Sequence, residues 1–228
     1  MGSQEAHPSF GRLLMYYKRR HPWWPDDSAL HLLADMRNLM VHAASVEPLF
    51  FPTSAAVAQI GDILQRLRRP RAVRDTHCLC PVLTLSPDDP LSRVLALVRA
   101  NDFSQFPIYG DGRFHGLLTE NGVTRWLAYH NEAWGAPSDF RGVLIRDLLA
   151  LQEQSAAEAE RGWANAEFAP EDAQIDHLAF RFSQNPALEA VLVTPNGTPE
   201  EPPTGIVTRW DVLHLSSAGQ PAATPQKS

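Results

Sequence analysis

Two stretches of the chain repeat one arrangement that suits a phosphate-bearing ligand. Gly116-Leu117-Leu118-Thr119 and Gly205-Ile206-Val207-Thr208-Arg209-Trp210-Asp211 each set a glycine and a short apolar run before a hydroxyl at an expected helix start, the second copy 89 residues after the first (205 against 116). Free backbone N–H groups at a helix N-terminus attract phosphate, and a threonine hydroxyl joins them. A carboxylate one turn later, as at Asp211, accepts hydrogen bonds from both hydroxyls of a ribose. A purely structural use is also open: Thr208 caps a helix and Asp211 sits in its first turn, where the helix dipole favours a carboxylate. Capping accounts for either residue but not for the duplication.

Three further groups of residues invite chemistry. Arg37-Asn38-Leu39-Met40-Val41-His42 lies in an expected helix, where Arg37 would stabilise a phosphate and His42 would exchange a proton near neutral pH. Asn38 and His42 are four residues apart and share a face, with Arg37 about 100° away. The plain alternative is a solvated or dimer-facing surface. Cys78 and Cys80, both of the chain's cysteines, are expected in a strand with both thiols on one face. A metal needs further ligands, the remaining histidines show no ligand spacing, and no metal ligand set is expected. Arg66, Arg68, Arg69, Arg71 and Arg74 suit either phosphate contacts or a solvated helix end, and Trp23 and Trp24 suit stacking on a base or packing a small helical domain onto its neighbour.

The elements that must position these residues fall into two parts. The chain has 228 residues, 44% hydrophobic and 20% charged, enough for one large domain or two small ones. Its net charge of −6 argues against a surface coated for nucleic acid. The balance is uneven: residues 1–75 hold ten Lys and Arg against seven Asp and Glu, and the remainder ten against nineteen. That shift and Pro70 in the Arg-rich stretch set a boundary near residue 72. The front part, 1–72, is expected to be a helical segment for dimerisation or partner contact. Its helices run from Ser9 to Arg20, from a cap at Asp27 or Ser28 to about Ala44, and from a cap at Thr53 or Ser54 to the Arg66–Pro70 stretch.

Beyond it, short apolar runs alternate with helical stretches, which signals an α/β (α+β) unit. Pro81 to Leu85 reads as a strand, Leu91 to Val98 as an amphipathic helix, and Phe106 to Tyr109 and Phe114 to Leu118 as strands about a Gly110-Asp111-Gly112 hairpin turn. Thr119 opens a helix through Tyr129. The back third repeats the order, with a helix bearing Ile175, Leu178 and Phe182, a strand Ala190 to Val193, a turn-rich stretch Thr194 to Thr204, and a strand and helix from Gly205 to Leu215. Strand, helix, strand, strand, helix occurs twice, an internal duplication. The expected limits are 73–150 and 166–215 for the units, 151–165 for a spacer and 216–228 for a disordered tail.

The two glycine-to-threonine stretches, with Leu85-Ser86-Pro87-Asp88 and Phe106-Pro107-Ile108-Tyr109, resemble the CBS family, named after cystathionine β-synthase, whose repeats close with glycine, two apolar residues, Thr or Ser, two residues and Asp. The resemblance covers about 140 residues. It implies two β-α-β-β-α repeats packed as a pseudo-twofold pair, with two clefts that commonly take AMP, ADP, ATP, S-adenosylmethionine or a cyclic dinucleotide such as cyclic di-AMP. By that resemblance Thr208 meets phosphate or ribose, as does its counterpart Thr119, and Asp211 meets the ribose. Thr84 and Phe168, beside the first strands, and Ile108 and Val191, in the second, border the adenine. The first copy departs at Gly122, where the family's Asp belongs, and Ala190 is aligned with Pro107. The front helices resemble HEPN domains, which implies a second reading, a nucleotide-controlled ribonuclease using Arg37, Asn38 and His42 across a dimer, with RNA as partner. A third reading is a structural dimerisation module with empty clefts. The leading expectation is a regulatory, adenine-nucleotide-binding homodimer with a further protein partner. It needs no catalysis and no cofactor. With no membrane-length apolar run and no secretory layout, it is expected in the cytoplasm.

Overall fold

The computed structural model describes residues 9–24, 27–42, 51–101, 103–134, 142–158 and 165–217. Three helices open the chain: α1 (Phe10–Arg20), α2 (Asp27–His42) and α3 (Ser54–Arg68). Ser9 caps α1 by accepting from the Arg12 N–H at 3.4 Å, and Thr53 caps α3 by accepting from Ala56 at 3.2 Å. Helix α2 starts on Asp27 itself, and its expected end at Ala44 lies outside the described residues.

Two α+β repeats follow. The first contains α4 (Leu91–Asn101), β1 (Gln105–Gly110), β2 (Arg113–Thr119) and α5 (Glu120–Trp134), and α6 (Ile145–Glu158) leads from it into the second. The second contains β3 (Ala166–Pro170), α7 (Ile175–Gln184), β4 (Ala190–Thr194), β5 (Gly205–Thr208) and α8 (Arg209–Ser217). The turn between β1 and β2 is tight because Asp111 and Gly112 both take positive φ, 51° and 71°, which matches the right-handed twist of a hairpin.

The strand expected over Pro81–Leu85 shrinks to a single parallel bridge from Leu85 to Ile108. Leu85 donates to the Pro107 carbonyl and accepts from the Tyr109 N–H, while Pro81, which lacks an N–H, and its successors stay irregular. Cys78 and Cys80 are therefore not in a strand. Cys78 is buried and Cys80 exposed, and both are free thiols.

Strand pairing fixes how the repeats correspond. Leu85 bridges Ile108 as Ala169 pairs with Val193, and Ile108 faces Gly116 as Val193 faces Gly205. Ile108 therefore corresponds to Val193, not to Val191, and Pro107 to Leu192, not to Ala190. The expected alignment slipped by two residues, which preserves the inside-outside alternation of a strand and leaves no trace in the hydrophobic pattern.

Each repeat's leading arm crosses to the other repeat. The Val73 and Arg74 N–H groups donate to the carbonyls of Ala173 and Glu171, and those of Ile145 and Arg146 donate to Asp89 and Pro87. Bridges Ala72 to Gln174 and Pro90 to Leu144 complete two matching crossings. A carboxylate closes each arm in the same way, Asp75 accepting from the Ala72 N–H and Asp147 from the Leu144 N–H. The result is the expected pseudo-twofold pair.

The core is two clusters, one per repeat. Leu85, Leu91, Val94, Phe106, Ile108, Leu118, Trp126, Ile145 and Leu148 fill the first; Val73, Cys78, Ile175, Leu178, Phe182, Val193, Val207 and Val212 fill the second. Val73 and Cys78 belong to the first repeat's arm, so burying them, at about 1.5–3 kcal/mol for a side chain of Val size, stabilises the crossing as well as the core. The front segment docks on the second repeat: Trp23 stacks on His177 with ring centroids 4.2 Å apart and lies near Phe180. Among the described residues no helix is long and apolar enough to cross a membrane.

Candidate functional site

The second copy of the duplicated motif is a helix start tied by two side chains. Asp211 Oδ2 accepts from the Thr208 N–H at 2.8 Å and from its hydroxyl at 2.7 Å, while Thr208 Oγ1 accepts from the Asp211 N–H at 3.4 Å. This is a capping box, which satisfies N–H groups that the helix itself leaves unpaired. It holds the carboxylate in one orientation, with Oδ1 facing His77 Nε2 at 3.5 Å. In the first copy Thr119 Oγ1 accepts from the Gly122 N–H at 3.2 Å, and with no side chain at residue 122 the box stays half made.

An open cleft of about 510 Å³ lies against the second helix start, lined by Ser104, Gln105, Thr208, Arg209, Trp210 and Leu213. Its walls come from both repeats: Ser104 precedes β1 and Gln105 starts it, while Thr208 ends β5 and Arg209, Trp210 and Leu213 belong to α8. Arg209 does not offer its charge to this space. Its guanidinium donates to the carbonyls of Phe182, Asn185, Pro186 and Leu188, closing the end of α7.

The glycine of the motif answers a contact. A Cβ on Gly205 would lie 2.5 Å from the Cys78 carbonyl oxygen, and the Ile206 N–H donates to that oxygen at 3.2 Å. The arm Thr76–Cys80 thus passes directly over β5, bringing His77 to Asp211. Beneath it the Cys78 thiol is pushed up to about 11, first by burial and also by the Asp211 and Cys80 charges, against lowering by the Thr76 hydroxyl and Arg71. The side-chain donors of His77, Cys78 and Asp211 all lie within 4.8 Å of one another.

The remaining expected residues divide. Thr208 lines the cleft, whereas the Asp211 carboxylate is not part of its lining and turns toward His77 and Cys78. Thr119, Ile108 and Val191 are buried, the last two completely, so any border they give a ligand is backbone. Phe168 is half-buried, packs edge-on against Phe114 at 5.1 Å and accepts from Arg181 through its carbonyl. Thr84 precedes the Leu85 bridge at the position matching Phe168. Arg71 donates to the Leu215 carbonyl, capping α8. In the front helices Arg37 donates to its neighbour Asn38 at 3.2 Å on an exposed surface, and the His42 side chain lies outside the described residues. Ser104 and Gln105 escaped the sequence reading because the packing of one repeat on the other brings them to α8, and His77 because the crossing arm does.

Residues 71–129 match the family model for the CBS domain. No curated protein matches the chain. Among solved structures it is similar to the CBS domain pair of protein MJ0100 in complex with 5′-methylthioadenosine and S-adenosyl-L-methionine, at 19% identity over 65% of this chain and 97% of that one, TM-score 0.44. It is also similar to the CBS domain of a CBS domain-containing membrane protein from Sphaerobacter thermophilus, at 21% identity over 71% and 97%, TM-score 0.44. A third is the CBS domain of a bacterial CNNM/CorC family Mg2+ transporter in complex with ATP, at 18% identity over 68% and 92%, TM-score 0.42.

Proposed function

We propose, from the premise that this chain is a CBS-domain protein, that it is a regulatory sensor binding an adenine nucleotide in the cleft against α8. The observation that carries this reading is the capping box that opens α8, in which Thr208 lines the cleft and fixes the Asp211 carboxylate on the side of the crossing arm. The capping box occupies Oδ2 and orients Oδ1 toward the exposed His77 ring, which a ribose hydroxyl can displace. The cleft's volume suits a nucleoside, since small-ligand sites run from about 300 to 1,000 Å³. Backbone N–H groups at the start of α8 receive the phosphate, the part Arg209 does not serve. The Asp-deficient first copy acts as scaffold.

The regulated partner is a protein met through the front helices, and the working form is a homodimer in a reducing cytoplasm. Calorimetry on metal-free protein with AMP, ADP, ATP, S-adenosylmethionine and cyclic di-AMP tests the reading. At least one binds, and Asp211→Asn weakens it by about tenfold or more, since a hydrogen bond to a charged group contributes about 1.5–3 kcal/mol. The capping box alone favours the alternative, a structural pair with empty clefts. Absence of binding by all five ligands decides for that alternative.

A further inference from the structure

We propose that His77, Cys78 and Asp211 form a site for a borderline divalent cation of the Zn2+ class. Their donors, an imidazole nitrogen, a thiol sulfur and a carboxylate oxygen, are the set such an ion selects, whereas Mg2+ and Ca2+ select oxygen. The spacing fits. Ligand atoms of a tetrahedral zinc centre with bonds of about 2.0–2.3 Å stand roughly 3.5 Å apart, and His77 Nε2 and Asp211 Oδ1 are 3.5 Å apart already. All three donors fall within 4.8 Å, and the exposed His77 ring is free to close the remaining distance.

The support behind these ligands is in place. Asp211 Oδ2 is held by Thr208, leaving Oδ1 for the ion. Cys78 is fixed at both backbone groups, its N–H donating to the Thr76 hydroxyl and its carbonyl accepting from Ile206. Such outer contacts orient metal ligands. Binding forms Zn–N, Zn–S and Zn–O bonds, breaks the S–H bond of Cys78 and releases that proton to solvent. Water fills the fourth position.

This site rests on the nucleotide reading only in sharing Asp211, and the test contains no nucleotide. Full-length, metal-free protein is titrated with Co2+, whose thiolate charge-transfer absorption reports a Co–S bond, and Zn2+ is then added to displace it. One equivalent of Co2+ develops the band and Zn2+ abolishes it. Cys78→Ser removes the band, and His77→Ala, at an exposed position that leaves the fold intact, weakens binding by at least about tenfold, the low end of what even an outer partner contributes. No band, a band that survives Cys78→Ser, or one that Cys80→Ser alone abolishes overturns the assignment. A negative AMP result leaves this site standing, and a negative cobalt result leaves AMP binding standing.

Discussion

The two repeats share a backbone plan and differ in what has been gathered around them. At the first, Thr119 makes half a capping box because residue 122 is glycine, and the arm that crosses to it continues directly into the helix α6. At the second, Thr208 and Asp211 make a whole box, and the crossing arm is a short irregular strap carrying His77 and Cys78. The front segment also docks there: His177 of α7 stacks under Trp23, whereas the matching residue of α4, Arg93, forms an exposed ion pair with Asp89. Duplication supplied two equal frames. Side-chain changes at a few positions left the first with half a cap and made the second a meeting point of strap, cleft and front helices.

The largest test of this asymmetry is Gly205→Ala. A methyl group 2.5 Å from the Cys78 carbonyl and 3.2 Å from the Leu79 Cα has backbone, not a flexible side-chain end, in its way. The strap must lift, which costs about 1–3 kcal/mol of overpacking and moves His77 and Cys78 away from Asp211. Urea unfolding measures the loss. An unchanged midpoint would show that the strap does not bear on β5 as described.

A smaller effect separates the cap from the ligand. Asp211→Ala removes the carboxylate half of the box, leaving the residue-211 N–H on the Thr208 hydroxyl, and destabilises by about 1 kcal/mol, the usual worth of a helix cap. Asp211→Asn keeps an accepting oxygen for the Thr208 N–H and is expected to melt close to wild type while losing nucleotide affinity. If Asn and Ala melt alike, the box contributes nothing to stability and the difference between the two helix starts loses its structural meaning.

Much of this plan was legible in the sequence because it rests on local chemistry. The helix start at Ser9, the cap at Thr53, the Asp111-Gly112 turn and the glycine-to-threonine motif are short-range signals, and the described structure contains each of them. Pairing register was not legible. Shifting Val191 to Val193 keeps the same face and the same hydrophobicity, so only the Gly205 partner distinguishes them. Nor was the cation cluster. His77 stands next to Cys78 in the chain, but Asp211, more than a hundred residues on, joins the pair only because the arms cross. The strand expected around Cys78 to Leu85 failed for a related reason: the tie to β1 is made at Leu85 alone, while Cys78 is held by β5.

The docking of the front segment gives the smallest effect and the most specific one. Burial first, then the Arg181 charge, holds the His177 imidazolium below its ordinary range, with Glu167 opposing and His21 adding to the depression. Because the folded protein resists protonation of His177 more than the unfolded chain does, its contribution is full above the unfolded value, about 6.5. It is lost as pH falls through that value toward the folded one, since the unfolded chain then binds the extra proton. Thermal melts from about pH 8 to pH 5 should therefore show a steeper decline for wild type than for His177→Phe, which keeps a ring beneath Trp23 and cannot titrate. Trp23→Ala should flatten the same decline by letting water reach His177, at the cost of a stacked contact worth about 0.5–1.5 kcal/mol. Parallel slopes in all three proteins would mean that the front helices do not shield α7, and the second repeat would lose one of the features that set it apart from the first.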